Sequence, residues 1–263
     1  MKIVVCVKQV PDTESRLRVA KDGRWIDEED VAFVLNESDE YALEEGLRIA
    51  EKTGGEVVAL SLGPERTRES LRKTLALGAA RAVLLRDESF AGGDALANGR
   101  ALAAAVRRES PDLVLTGSQS DDYGYGATAT ALAGELGWPH AWLVMGVDLE
   151  EDGKALKVTR EMESGLNELF RVRTPAVLEI QAGINHPRYA SLKGIMAAKK
   201  KPMETYSLAD LGVDASQVGL SVAWTEVAET TARPPRSAGE VVPDEDGSGA
   251  QALADFLASK KFI

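Results

Sequence analysis

Short apolar runs alternate with helical patterns through the first half of the chain, and this alternation constrains the fold more than any other feature. Each run is typical of a strand that is covered on both faces. The runs are residues 3–7, 57–62, 82–85 and 112–116. Between them apolar side chains recur at helical spacing, as at Leu43, Leu47 and Ala50. Short connections of this kind favour right-handed crossovers, so the sequence predicts an α/β fold in which helices flank a parallel sheet and residues 3–7 form the central first strand.

Four loops at the ends of these elements should meet in space. Ligands of parallel sheets bind at the carboxyl ends of the strands, near a switch in strand order. The four loops follow Val7, surround Asn36, follow Leu62 and follow Thr116. We therefore expect them to form one ligand-binding crevice.

The segment 112–135 combines a strand, a polar loop and an alanine-rich helical pattern. A helix start offers free backbone N–H groups and the positive end of the helix dipole to an anion. Gly124 and Gly126 would let the main chain approach a phosphate closely, and Thr128 and Thr130 would add hydroxyl donors. The segment is neither a G-x-G-x-x-G motif nor a P-loop. Taken by itself, it is either a phosphate-binding loop or an ordinary turn made of small residues.

The pattern changes in the second half of the chain. Three extended runs, 142–149, 156–160 and 170–180, are joined by Asp152-Gly153 and Ser164-Gly165, which predicts an antiparallel meander or a long hairpin at the edge of the parallel sheet. An earlier turn at Asp22-Gly23 predicts a small hairpin.

Apolar periodicity thins from Pro202 onward, although residues 250–260 have the pattern of a closing helix. Residues 232–249 are rich in proline, glycine and charge. This tail lacks the apolar residues for a core of its own, so we expect it to lie along another chain.

Composition narrows the classes of function. With 42 acidic and 31 basic side chains, the net charge of -11 argues against nucleic acid as the main ligand. Cys6 is the single cysteine, which rules out an intrachain disulfide and argues against a metal or iron–sulfur site. His140 and His186 lack a matching nucleophile motif, so no catalytic residue is predicted. No signal peptide or run of membrane-spanning length is seen, which predicts a soluble, cytoplasmic protein that is not embedded in a membrane.

Five stretches, in order along nearly the whole chain, resemble the β subunit of electron transfer flavoprotein. They are Val7-Lys8-Gln9, residues 36–45 (NESDEYALEE), Leu62-Gly63-Pro64, residues 117–134 followed by Trp138-Pro139, and residues 185–201 (NHPRYASLKGIMAAKKK). The last stretch is the most specific.

The resemblance implies a Rossmann-like, adenine-nucleotide-binding α/β domain with an antiparallel hairpin over residues 1–183. A recognition loop would occupy residues 184–206, and a C-terminal arm, residues 207–263, would wrap an α subunit. The resemblance also implies a heterodimer with AMP held structurally in this chain and FAD held mainly by the α subunit. Such a protein is an electron carrier and not an enzyme. It receives electrons from flavoprotein dehydrogenases and passes them to a membrane quinone oxidoreductase in the respiratory chain.

The resemblance also implies roles for particular residues. Those implied to bind AMP are Cys6, Asn36, Glu37, Ser38, Asp39, Leu62, Asp122, Tyr123, Gly124, Tyr125, Gly126, Ala127, Thr128, Ala129, Thr130 and Ala133. Those implied to recognise the dehydrogenase are Pro187, Arg188, Tyr189, Leu192 and Ile195, with Leu192 as the side chain that enters a pocket on the partner.

Residues 121–128, DDYGYGAT, depart from the family's commonest phosphate loop, which reads Asp-Gly-Asp-Thr or Asp-Asp-Asp followed by Gln. They are closer to the branch that serves methylamine-type dehydrogenases. Bifurcating relatives hold a second FAD in place of AMP, and residues 7–13, VKQVPDT, look similar to theirs. Their phosphate-loop signature is missing here, so AMP is the expected ligand. The alternatives are a bifurcating subunit with FAD at this site and a stand-alone nucleotide-sensing domain.

Overall fold

A nine-stranded sheet and a two-stranded sheet make up the β structure of the residues that the computed structural model describes, which are 1–150, 152–232, 234, 238–239, 241–244 and 247–263. The strands are β1 Lys2–Cys6, β2 Gln9–Pro11, β3 Phe33–Leu35, β4 Glu56–Leu62, β5 Arg81–Leu85, β6 Leu113–Gly117, β7 His140–Leu149, β8 Ala155–Glu161, β9 Asn167–Arg173, β10 Ala176–Ile180 and β11 Met203–Tyr206. The α-helices are α1 Glu37–Thr53, α2 Arg68–Leu77, α3 Ala95–Glu109, α4 Thr128–Leu136, α5 Leu192–Ala198, α6 Leu208–Leu211 and α7 Ser248–Ser259.

The large sheet has the order β11-β5-β4-β1-β6-β10-β7-β8-β9. Strand β1 pairs in parallel with β4 on one side and β6 on the other, so its predicted central position is confirmed. Its side chains alternate between two cores. Ile3 and Val5 pack against the helices of one face, whereas Val4 packs against those of the other. Because both faces are covered, the central parallel strands are continuous apolar runs, and the predicted α/β class is confirmed.

Small residues let the helices approach the sheet and one another. A Cβ atom on Gly46 of α1 would lie 2.9 Å from Val5 Cγ2. A Cβ atom on Gly99 of α3 would lie 2.8 Å from Ala131 Cβ of α4. Glycine at these two positions therefore determines how closely α1 packs on the sheet and α3 on α4, and a larger side chain would push these layers apart.

The predicted meander continues the sheet beyond the parallel strands. β7 pairs with β8 and β8 pairs with β9, both antiparallel. The run 170–180, however, is two strands and not one. It is interrupted before Pro175, which cannot donate a backbone hydrogen bond, and β10 then returns between β6 and β7 and pairs with both in parallel. Alternation of apolar residues cannot reveal this return, because it depends on a distant partner strand.

The beginning of the predicted tail belongs to the sheet, contrary to its weak apolar pattern. Strand β11 pairs in parallel with β5 at the edge of the sheet, and Tyr206 is buried there. Helix α7 confirms the predicted closing helix. Within the predicted range 232–249, positions 233, 235–237, 240 and 245–246 lie outside the described residues. The hairpin predicted at Asp22-Gly23 is confirmed by the antiparallel bridge between Val19 and Ile26.

Candidate functional site

A cleft of about 750 Å³ lies at the carboxyl ends of β1, β4, β5 and β6. All four loops predicted to converge contribute to its wall, through Lys8, Asn36, Leu62 and the segment 116–120. The convergence is confirmed. It arises because parallel strands end at the same edge of the sheet, and the loops that follow them become neighbours.

Asp39 ties two of these loops together from below. Its Oδ2 atom accepts a hydrogen bond from the backbone N–H of Lys8 at 2.7 Å, and its Oδ1 atom accepts one from Gly117 N–H at 3.1 Å. The side chain is buried, and burial raises the pKa of Asp39 to about 7. Because both oxygens are engaged by the protein backbone, Asp39 holds the ends of β1 and β6 at a fixed spacing.

Asn36 and Ser38 build the loop after β6 in the same way. Asn36 Nδ2 donates to Gln119 O at 2.9 Å, and Asn36 Oδ1 accepts from Asp121 N–H at 3.0 Å. Ser38 Oγ donates to Gln119 O at 2.6 Å. Asn36 lines the cleft, whereas Ser38 lies behind it. The polar side chains of this segment therefore bond to the protein and shape the wall of the cleft. Sequence patterns alone could not distinguish this structural role from direct ligand binding.

The start of α4 faces the cleft without a side-chain cap. Ala127 occupies the N-cap position and makes no side-chain hydrogen bond to the helix. Gly126 has a φ of 58° and lines the cleft beside Ala127, Thr128 and Ala129. The first backbone N–H groups of a helix need partners from outside it. This corner of the cleft can therefore accept an anion.

The other predicted nucleotide-binding residues differ in position. Cys6, Asp39, Tyr123 and Tyr125 also line the cleft. Those that do not are Glu37, Ser38, Asp122, Gly124, Thr130 and Ala133. Thr130 and Ala133 both belong to α4, where Ala133 is buried and Thr130 is exposed. Neither lines the cleft, since only one side of a helix can face it.

Lys8 and Trp25, which the sequence analysis did not name as site residues, form an aromatic and cationic rim together with Tyr123 and Tyr125. Lys8 Nζ lies 2.6 Å from Asp122 Oδ1 and 4.9 Å from the centroid of the Tyr123 ring. Tyr123 stacks between Trp25 and Tyr125, with ring centroids 5.2 and 5.4 Å apart. Lys8 directly follows a central strand, so the rule that located the loops could have found it. The position of Trp25 depends on a tertiary contact.

The far wall of the cleft was also missed. It contains Leu85 at the end of β5, residues 86–88 and 90–95 after it, and Leu220, Thr225, Glu226 and Val227. Residues 85–95 follow a parallel strand and could have been predicted by the same rule. The later segment gave no local signal, because it lies there through contacts with residues more than 100 positions earlier.

A second candidate surface lies on residues 185–198, outside the cleft. Arg188 Nε donates to Glu44 Oε2 at 2.8 Å, and Arg188 Nη1 donates to Glu51 Oε1 at 2.6 Å. This pairing fixes the segment on α1. Beyond it Tyr189 is 97% exposed and Leu192 is 83% exposed.

The exposed part of this segment includes a short helix, within the range 184–206 that the resemblance implied to be a recognition loop. Leu192 begins α5, and Ile195 and Met196 of the same helix are also exposed. We call Tyr189, Leu192, Ile195 and Met196 the apolar patch. Three of the predicted recognition residues lie on it. The other two differ, since Arg188 is paired within the chain and Pro187 lies against α1.

Comparison with known proteins agrees with the resemblance found in the sequence. A family model described as electron transfer flavoprotein domain matches residues 24–211. The chain belongs to the electron transfer flavoprotein family.

Three curated relatives extend the match, and each is an electron transfer flavoprotein subunit beta. The relative from Methylophilus methylotrophus is 43% identical over 229 residues, which cover 86% of this chain and 87% of the relative. The relative from Mycobacterium tuberculosis is 39% identical over 99% of both chains. The relative from Thermoanaerobacterium thermosaccharolyticum is 36% identical over the full length of both. The family assignment therefore applies to the entire chain and is of the β-subunit type.

Cys6 lines the cleft, and its thiol is not reactive. Burial, together with the neighbouring Asp39 carboxylate, raises the pKa of the Cys6 thiol to about 12, so the sulfur stays protonated at neutral pH. Across the described residues no group of three or more histidine, cysteine or acidic side chains has the arrangement of a metal site. Among these described residues, no helix has the length and apolar character required to cross a bilayer.

Proposed function

We propose that this chain is the β subunit of a heterodimeric electron transfer flavoprotein, and that its cleft holds AMP in a structural role. The α subunit would carry the redox-active FAD, and this chain would help to enclose it. The observation that carries the proposal is the meeting of four loops at an uncapped helix start, in a chain that belongs to this family throughout its length.

The residues of the cleft fit an adenylate. The backbone N–H groups at Thr128 and Ala129 would hold the phosphate, because α4 has no side-chain cap and its dipole favours an anion there. Gly126 leaves space beside them, since the nearest atom to a Cβ at this position is Ser118 O at 3.6 Å. Apolar atoms of Leu62 and Leu102 provide a wall for the base.

AMP would stabilise the fold rather than react. A bound nucleotide supplies hydrogen-bond acceptors for the loop N–H groups and stabilises the folded state by mass action. Cys6 is protonated, and both carboxyl oxygens of Asp39 accept hydrogen bonds from the protein backbone. Neither residue therefore supplies a nucleophile for turnover. These features support a carrier subunit rather than an enzyme.

The apolar patch is proposed to dock flavoprotein dehydrogenases. Burying one leucine side chain contributes about 2 kcal/mol, which suits a complex that must form and separate quickly. Leu192 projects from the start of α5, while the Arg188 ion pairs hold the base of the segment. A membrane quinone oxidoreductase would then accept the electrons, and the protein would work in the cytoplasm.

The C-terminal arm, residues 207–263, is proposed to wrap the α subunit. Helix α7 leaves Leu253 and Phe256 more than half exposed, which gives a partner chain an apolar surface to cover. The stretch that leads to α7 includes the positions outside the described residues, so this proposal rests on α7 itself.

Extraction of nucleotides from the protein co-purified with its α subunit tests the proposal. We expect one FAD and one AMP per heterodimer by mass spectrometry. Two FAD and no AMP would support the bifurcating alternative. A stable homodimer that binds ATP without any flavoprotein partner would support the nucleotide-sensing alternative and contradict the proposal.

A further inference from the structure

Residues 218–230, which we call the strap, lie across one side of the nucleotide cleft. Leu220, Thr225 and Glu226 of the strap line the cleft together with the loops of the sheet. The strap belongs to the C-terminal part of the chain, far in sequence from the elements that it covers. Its first residue, Val218, is buried in the core, so only the part of the strap after Val218 could move away from the other walls of the cleft.

Asp94 holds the strap and a helix with the same carboxylate. Its Oδ1 atom accepts hydrogen bonds from Leu96 N–H at 3.1 Å and Ala97 N–H at 3.0 Å, which caps α3. Its Oδ2 atom accepts from Trp224 N–H at 2.7 Å and Thr225 N–H at 3.1 Å. Burial opposes ionisation, but the backbone hydrogen bonds outweigh it and lower the pKa of Asp94. The carboxylate is therefore charged at neutral pH and bonds strongly to both segments.

The strap also contacts the two sides of the cleft. On the side of residues 89–94, Leu220 N–H donates to Ala91 O at 3.1 Å, and a Cβ on Gly92 would lie 3.2 Å from Leu220 Cβ. On the side of the hairpin at residues 18–27, Glu226 forms an ion pair with Arg24 and Thr230 N–H donates to Gly23 O at 2.6 Å. The strap thus spans the space between these two walls.

We propose that Asp94 is a positioning residue that keeps the strap closed over the nucleotide, so that opening of the strap limits the rate at which nucleotide leaves the cleft. This inference rests on the proposed nucleotide-binding function. It differs from a purely structural role of Asp94 as the cap of α3, because capping alone would affect stability without affecting release.

The variant Asp94→Asn separates the two roles. Asparagine is as good a helix cap as aspartate, so its Oδ1 atom can still accept from Leu96 and Ala97. Its Nδ2 group cannot accept from Trp224 and Thr225, so the strap loses its hydrogen bonds with residue 94. Asp214→Asn is the matched control, since Asp214 caps a short turn over residues 215–217 outside the cleft.

The measurement uses the complete heterodimer loaded with radiolabelled AMP and chased with unlabelled AMP. Loss of hydrogen bonds to a charged group predicts that Asp94→Asn releases AMP at least about tenfold faster, with unchanged stoichiometry at saturation. Hydrogen exchange at Trp224 and Thr225 should become faster as well. The control should release AMP at the wild-type rate.

A release rate equal to that of the wild type would overturn the inference, and so would an equal acceleration in the control. If Asp94→Asn proves unfolded by circular dichroism, Glu226→Gln provides the test, because it weakens the ion pair with Arg24 that holds the other side of the strap. Release from Glu226→Gln should be faster than from the wild type, and an unchanged rate would then overturn the inference. Failure of the wild type to bind AMP would contradict the proposed function itself, which distinguishes the two failures.

Discussion

Replacing Gly117 by alanine should destabilise the chain strongly, because this glycine touches the residues that hold the cleft together. An added Cβ atom would lie 2.7 Å from the backbone carbon of Ser38 and would overlap Asp39 Oδ1 and Ser38 Oγ. Overpacking of this kind costs about 1–3 kcal/mol. Displacing the Asp39 carboxyl group would also weaken its hydrogen bond with Gly117 N–H, and a typical hydrogen bond is worth about 0.5–1.5 kcal/mol.

Adding the two ranges, we expect Gly117→Ala to lower the free energy of unfolding by roughly 3 kcal/mol, the middle of the summed range. Urea unfolding followed by circular dichroism measures the change. Gly134→Ala is the matched control, because Gly134 lies inside α4 with no atom within 4 Å of a Cβ. The free energy of unfolding of this control should be higher than that of the wild type by up to about 1 kcal/mol. Equal stability of the two variants would show that Asp39 and Ser38 do not pack against Gly117 in this way.

Three further changes test other parts of the account. Gly126→Val should lower AMP content, measured after extraction, because valine disfavours a φ of 58° and would crowd the phosphate; full retention would place the phosphate elsewhere. Leu192→Ala should slow electron transfer from the dehydrogenase in stopped-flow experiments without changing FAD or AMP content. Leu166→Ala, which changes an exposed leucine away from the apolar patch, should leave the transfer rate unchanged. Equal rates in the two variants would contradict the docking role. Burial raises the pKa of Glu179 from 4.5 to about 7. The wild type should therefore lose up to about 3 kcal/mol of stability relative to Glu179→Gln as pH rises between these values, measured by urea titration. A stability difference that does not change with pH would contradict this.

Local sequence patterns were sufficient to predict the parallel half of the fold and the meeting of the loops. Runs such as residues 57–62 are buried on both faces, so their composition reports their environment directly. The return of β10 between β6 and β7 and the pairing of β11 with β5 were not predictable in this way. Both depend on partners more than 25 residues away, and no local pattern encodes a distant partner.

The candidate site shows the same limit. Gly126 and Thr128 were found because glycine and a helix start have local signatures. The roles of Asn36 and Asp39 in building the wall depend on which way their side chains turn, and this follows only from the packed structure. The position of the strap could not be predicted for the same reason, since Asp94 and Thr225 are 131 positions apart.

A crystal structure of the heterodimer purified with its natural nucleotides would test the central claim most directly. The account predicts density for one AMP in the cleft, with its phosphate at the N-terminal end of α4 beside Gly126 and Thr128, and one FAD bound mainly by the α subunit. A cleft closed by side chains, a second FAD in place of AMP, or a phosphate bound away from α4 would contradict it.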